Sequence, residues 1–578
     1  VTARTTAAIV GALACLVPST ASAANPISTE NARQGAVSWT AAEAEPAAIE
    51  GYASETSLAP GESLHLHVAA SPAARYLVRV YRLGWYGGAG ARLLQCIPGC
   101  GSDERATPGA VPPADQGTGL VRAAWPVTDT FRVPDDAVSG YYDAQLVLTS
   151  GAQAGRVQNV FFVVRAPTAA PASTIVVQVP ANTWQAYNGW GGKSLYNFNS
   201  TGGVPATHVS FERPYAPLGQ SPLVWEIQLV RFLEHEGYDV SYQTDLDTHR
   251  DPGSLLRHRL VVVAGHDEYW TKEMRDAFDA ARDAGTNLAF MGANDAYWQV
   301  RYEDGGRTIV GYKSLSDPEP DWSRKTALFR ELVPPRFECA LMGVQHQGGY
   351  RHHGEQQLDY VVTTAGAADP WLQATGLAAG SVLPDLVGRE WDMVPGYLPE
   401  SCQKPALTVL FHHDGVSGSA DAVRYTAPSG ARVFSAGSLQ FSWALDTFGL
   451  ANFGHVQGPD PRVQQFVRTA FADMVQPAPP VGLTATPRKS AVELEIDGRA
   501  DPRIRSYMIV RHRGAGLFDP TGADARVVAS TPSGSCVDRV SRGGIYRYAA
   551  EAVDPWGASP PVFSAPVKIV RRRRHRPR

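Results

Sequence analysis

The stretch Gly265-His266-Asp267-Glu268-Tyr269-Trp270 sets an imidazole, two carboxylates and two rings between the apolar run LVVVA and the helix-like segment TKEMRDAFDAARDAG. A strand-to-helix turn needs only one side chain to cap its helix. Three titratable groups among water-excluding rings suit acid–base or metal chemistry, because desolvation moves pKa values into a working range. A helix cap with surface ion pairs is the competing explanation. Other candidates are Asn294 in GAND, Glu390 and Asp392 in GREWD, and His412-His413-Asp414 after LTVLF. The run from Trp184 through Tyr187 and Gly191-Gly192 to Tyr196 follows the strand TIVVQVP. It reads as an aromatic core plug, as the lining of a site, or as a stacking platform for sugar rings. No GxSxG elbow, HExxH helix or phosphate-loop glycine spacing occurs in the chain, which argues against those three chemistries.

The elements that must position these residues alternate along the chain. Apolar runs at 174–180, 238–244, 260–265 and 286–292 read as strands, and Leu223–Leu233 and 271–284 as amphipathic helices, the second capped by Thr271 and stopped at Gly285. Strand–helix–strand order implies a parallel sheet with right-handed crossovers, and ligands bind outside the carboxyl ends of such strands. Both GHDEYW and GAND fall at such ends. The expected fold class is therefore multidomain, α/β plus all-β. A β-sandwich (Ig-like) spans 45–168, an α/β core domain of parallel-sheet, amidotransferase- or flavodoxin-like type spans 172–474, and a Pro-rich linker spans 475–482. A fibronectin type III-like sandwich spans 483–570, with Tyr507 and Tyr548 at the expected strand positions and Ile496 where such modules carry a core Trp.

With 44% hydrophobic and 19% charged residues, 55 Gly, 43 Pro and a net charge of −4, the 578-residue chain reads as globular, with no global field for nucleic acid. Residues 1–23, with Arg4, an apolar stretch and Ala21-Ser22-Ala23, read as a secretory signal peptide. That implies a secreted protein, with envelope association as an option. Cys96 can close a tight loop with Cys100, Cys339 can pair with Cys402, and Cys536 is left over. The tail at 571–578, RRRRHRPR, is either a solvated terminus or a contact for an anionic surface.

Eight segments in order, YRLGWYGG, SGYY, TWQAYNGWGGKSLY, FERPY, TDLDTHRDP, GHDEYW, GANDAYW and GREWD, resemble the N,N-dimethylformamidase large (beta) subunit family over about residues 50–470. The resemblance implies an amidohydrolase with a mononuclear non-haem iron, Fe3+, held by Tyr142 (preferred to Tyr141), Tyr187 and Glu268. It further implies that His266 and Asn294 line the site and that Glu390 serves as an acid–base group. Phenolate and carboxylate oxygens are hard donors that suit ferric iron. The family also implies a small-molecule amide as substrate, and a small partner subunit or homo-oligomer. Two features depart from it: the signal peptide and the added fibronectin-like module. They leave room for a non-catalytic envelope or carbohydrate-binding protein, or for a glycan-processing enzyme that pairs Glu268 with Glu390.

Overall fold

A computed structural model describes residues 25–215, 221–346, 358–397, 399–404, 406–415, 418–450, 457–498, 501 and 503–570. The signal-peptide segment 1–23 and the basic tail 571–578 lie outside them. The molecule is mostly β-sheet with few helices.

The first layer is a β-sandwich. A three-stranded sheet of Glu50–Ala53, Ser63–Ala69 and Asp129–Arg132 packs on a larger antiparallel sheet centred on Ala74–Leu83 and Gly140–Leu148. Every residue of Gly140–Leu148 is buried, because both of its faces are covered. The two-residue period of a strand sends Tyr142, Ala144, Leu146 and Leu148 into the sandwich core. Tyr141 points the other way, against Trp184 and Tyr242.

The second layer is a nine-stranded sheet, labelled here in chain order. Strand β1 (Ile175–Val179) leads to helix α1 (Ala181–Tyr187), then α2 (Ile227–His235), β2 (Val240–Thr244), β3 (Leu260–Val263), α3 (Lys272–Asp283) and β4 (Asn287–Phe290). There follow β5 (Leu358–Val362), β6 (Val382–Val387), β7 (Thr408–Gly415), β8 (Gly418–Thr426), β9 (Arg432–Ser435) and helix α4 (Pro461–Met474). The order across the sheet is β2-β1-β3-β4-β9-β8-β7-β5-β6. The pairs β2–β1, β1–β3, β3–β4 and β4–β9 are parallel, and the rest antiparallel. Residues 330–470 thus complete the core, and the sheet they complete is mixed rather than wholly parallel. Strand β3 is apolar throughout because both faces are covered: Val262 belongs to one cluster, and Val261 and Val263 to the other.

Local expectations mostly hold. Thr271 caps α3 by accepting from Met274 N, and Gly285, at φ +87°, follows its end. The segment Leu223–Leu233 is broken into Pro222–Trp225 and Ile227–His235, with Glu226 at the break. There the Glu226 side chain accepts a hydrogen bond from Trp184 Nε1 at 3.4 Å. Cys96 bonds to Cys100 and Cys339 to Cys402, leaving Cys536 as the free thiol among the described residues.

A terminal sandwich packs Gly482–Pro487, Ala491–Asp497 and Ser535–Arg539 against a sheet built on Ser506–His512 and Gly544–Val553. Ile496, Tyr507 and Tyr548 all lie in its core. It is docked on the nine-stranded layer rather than tethered: Arg259, fully buried, is paired with both Asp501 and Asp554. Among the described residues no helix is long and apolar enough to cross a membrane.

Candidate functional site

The carboxyl ends of β1, β3 and β4 converge on one cluster. Helix α1 follows β1 and ends on Tyr187, the turn after β3 carries His266 and Glu268, and the turn after β4 carries Asn294. The last two turns touch backbone to backbone: a Cβ on Gly292 would lie 1.6 Å from the Gly265 carbonyl oxygen. Only glycine fits there. Asn294 sits at φ +55°, a left-handed conformation that asparagine tolerates better than most residues. Further bonds fix the turns: Glu268 N donates to Thr183 Oγ1 at 3.0 Å, Asp267 N to Asp295 Oδ1 at 2.9 Å, and Asn294 N to Asp392 Oδ1 at 3.0 Å.

Two groups of side chains meet at Glu268. In the first, Tyr187 donates its hydroxyl to Glu268 Oε2 at 2.8 Å, and the Tyr196 hydroxyl lies 2.9 Å from both Glu268 oxygens and from the Tyr187 oxygen. Tyr269 donates to the Tyr196 oxygen at 2.6 Å, and Lys313 Nζ donates to Tyr269 at 3.2 Å while standing 3.5 Å over the Tyr196 ring. In the second, His266 Nε2 is 3.1 Å from Glu390 Oε2 and 3.5 Å from Glu268 Oε2. Asn294 Nδ2 donates to the same Glu390 oxygen at 2.7 Å. The buried Asn294 Oδ1 has no partner.

Burial and mutual charge set the protonation states. Burial alone would lower the His266 pKa, but Glu390 and Glu268 outweigh it and hold the imidazolium up to about 9. Burial works the other way on Glu390, yet His266, His346 and Asn294 bring its carboxyl down to about 2. Glu268 is raised, by burial first and then by Glu390 against the pull of His266. Burial, with the Glu268 charge behind it, pushes the phenols of Tyr187, Tyr196 and Tyr269 well up. Burial brings Lys313 down to about 8. The site therefore holds a cation–anion pair, His266 and Glu390, beside a nest of oxygen donors.

Of the six residues singled out from sequence, the fold gathers five: Tyr187, His266, Glu268, Asn294 and Glu390. It does not bring Tyr142. Strand alternation turns that ring into the sandwich core against Phe162, where its hydroxyl donates to the Val138 carbonyl at 2.7 Å. The second phenol beside Tyr187 and Glu268 is Tyr196, from the same motif as Tyr187. Tyr269, expected only to pack, and Lys313 also belong to the cluster. Asp267 does not cap α3: it is fully buried and accepts from Gln178 Nε2 at 2.8 Å. His412 and His413 lie on β7, bound to Asp421 and to the Asp359 carbonyl, away from the cluster. Tyr196 and Tyr269 lie in motifs the sequence marks, whereas a lone Lys carries no spacing signature, so proximity alone reveals Lys313.

Among the described residues no group of three or more His, Cys, Asp and Glu side chains is disposed to hold a metal ion. A metal at this cluster would have to be taken by phenols as well as a carboxylate. Tyr187, Tyr196 and Glu268 offer that donor set within hydrogen-bonding distance of one another.

The profile of the family described as "N,N-dimethylformamidase beta subunit-like, C-terminal" matches residues 77–456. The chain belongs to that family. The match takes in the larger part of the sandwich and every cluster residue, so the family shares the segments that build the site. No curated protein matches the chain in sequence. Solved structures match only about a sixth of the chain, at low identity. Titin kinase and its flanking domains matches at 18% identity and TM-score 0.14, over 16% of this chain and 17% of that one. FN3tt matches at 20% identity and TM-score 0.13, over 16% and 94%. A Fn3-like protein from Clostridium thermocellum matches at 22% identity and TM-score 0.13, over 17% and 98%. The chain thus spans under a fifth of the titin kinase protein's length.

Proposed function

We propose that this chain is an exported, dimethylformamidase-like hydrolase that cleaves a C–N amide bond of a small molecule at a mononuclear non-haem iron held by Tyr187, Tyr196 and Glu268. The observation that carries the reading is the meeting of two phenols with both oxygens of one carboxylate beside an ion-paired histidine. Hard, anionic oxygen donors suit ferric iron, and a bound ferric ion supplies Lewis acidity towards a carbonyl. The strand order β2-β1-β3-β4-β9 supports a flavodoxin-like α/β half, with the cluster at the crevice beside β1 and β3 where the order reverses. Two disulfides accord with export.

The chain's own residues then divide the work. His266, held protonated by Glu390, places its positive charge beside the oxygen that becomes anionic as the amide carbon turns tetrahedral. Glu390, ionised at neutral pH, accepts a proton from the attacking water and passes it to the leaving amine. Asn294 Nδ2 fixes Glu390, and its Oδ1, without a partner among the described residues, is an acceptor for an O–H of the attacking water. Lys313 places positive charge beside Tyr196 and Tyr269. The test is N,N-dimethylformamide offered to the purified full chain, with release of dimethylamine and formate followed by NMR. Turnover that Glu390→Gln removes is expected. An inert protein towards this and other small amides, with its iron in place, would overturn the reading.

A further inference from the structure

A cavity of about 60 Å³ lies on the other side of helix α1, between it and the first sandwich. Gly51 to Ala53, Glu55, Thr56 and Phe161 line it from the sandwich, Trp184 and Gln185 from α1, and Phe211, Arg213 and Arg307 from the connecting segments. No residue of the Glu268 cluster takes part. Its charge is unusual. Arg213 is buried and Arg307 half-buried, and among the described residues neither has a carboxylate in ion-pair contact. Buried guanidinium groups are normally paired.

The two arginines differ in what they have to offer. Arg213 is spent on the backbone, donating to the carbonyls of Gln185, Asn188, Trp190 and Lys193. Burial, with nothing to offset it, lowers its pKa to about 9. Arg307 lies over the Phe211 ring and gives Nη2 to the Ala53 carbonyl at 3.0 Å, but its buried Nη1 has no acceptor. The buried Thr56 hydroxyl, on the same wall, is also without a partner. Glu55 and Glu212 attract Arg307 only from beyond contact distance. The pocket therefore combines a net positive charge, two arginines against the one carboxylate of Glu55, with two unfilled hydrogen-bonding groups and an aromatic lining.

We propose that this cavity is a second binding site, for a short-chain monocarboxylate whose carboxylate takes Arg307 Nη1 and Thr56 Oγ1 and whose alkyl end lies among Phe161, Trp184 and Phe211. The size favours a ligand of acetate or propionate dimensions, since a water needs roughly 10–15 Å³ of such space and the cavity holds only a few. Inorganic phosphate is the wrong guest: its oxygens ask for more donors than the two on offer, and the rings would desolvate a dianion.

The experiment titrates sodium propionate into the full chain at constant ionic strength, followed by saturation-transfer NMR of the propionate methyl and by tryptophan fluorescence. Saturable binding in the millimolar range is expected for so few heavy atoms. It should weaken at least tenfold in Arg307→Met and measurably in Thr56→Val, and persist in Glu268→Gln, which reports on the other cluster. Should Arg307→Met fail to fold, Thr56→Val and Arg307→Lys decide the matter by the same readouts. Absence of saturation, binding that survives loss of Arg307 or Thr56, binding abolished by Glu268→Gln, or phosphate binding as well as propionate would each overturn the proposal.

Discussion

Replacing Arg259 by Met should loosen the terminal sandwich while leaving the nine-stranded layer largely intact. The guanidinium is fully buried and pairs with Asp554, also fully buried, and with Asp501 at 2.8 Å. Removing one member of a buried ion pair costs about 3–5 kcal/mol, because the abandoned charge stays dry. Two features put the cost at the low end. Asp501 keeps Arg503, 2.9 Å away, and Asp554 still accepts from Trp556 N and Gly557 N at 2.8 and 2.9 Å. About 3 kcal/mol is therefore expected, equivalent to roughly 12–24 °C in the melting point of a module that unfolds on its own. Hydrogen exchange on peptides from 483–570, compared with peptides from 172–330, isolates the effect. The double change Arg259→Met with Asp554→Asn should recover at least about 1 kcal/mol, since it removes the abandoned charge as well. A loss below about 0.5 kcal/mol in the single variant, the size of an ordinary surface change, would refute the reasoning, as would an equal loss in both regions.

Other expectations follow from single contacts. Tyr142→Phe removes one hydrogen bond to the Val138 carbonyl, so it should cost about 1 kcal/mol in urea unfolding and leave the metal content unchanged. His258, whose Nδ1 bonds the Ser173 carbonyl at 2.8 Å, is kept neutral by burial, its pKa lowered to about 4. The unfolded chain takes up that proton first, so stability should fall by about 3 kcal/mol as pH drops from about 6.5 to 4, and His258→Gln should flatten that slope. Gly292→Ala would drive a methyl into the Gly265 carbonyl, so expression or thermal stability should collapse, with a loss above about 3 kcal/mol. Glu390→Gln should lower kcat by about 10²–10⁴ with iron retained, as loss of a general base does.

Much of this was legible in the residues. The runs IVVQV, LVVV and NLAF declare buried strands, and the motifs that follow them fall at carboxyl ends, which is enough to bring Tyr187, Glu268, His266 and Asn294 together. Glu390 was legible only through its motif, because it reaches the site from the antiparallel half, whose register no local pattern fixes. Tyr142 shows the limit of transfer by motif: two adjacent tyrosines on a strand point to opposite faces, and neither face of Gly140–Leu148 opens on the cluster. Asp267 shows another limit. A carboxylate in a turn before a helix looks like a cap, yet burial beside Gln178 gives it a different task. The break at Glu226 was hidden because every residue around it suits a helix.

The central claim is that Tyr187, Tyr196 and Glu268 together hold an iron. The direct measurement is iron content and the visible absorption of the purified chain beside its Tyr187→Phe, Tyr196→Phe, Glu268→Gln and Tyr142→Phe variants. The account predicts one iron per chain with a phenolate charge-transfer band, lost or shifted in the first three and unchanged in Tyr142→Phe. A colourless chain that keeps its stability in chelator, or a band that depends on Tyr142 and not on Tyr196, would contradict it.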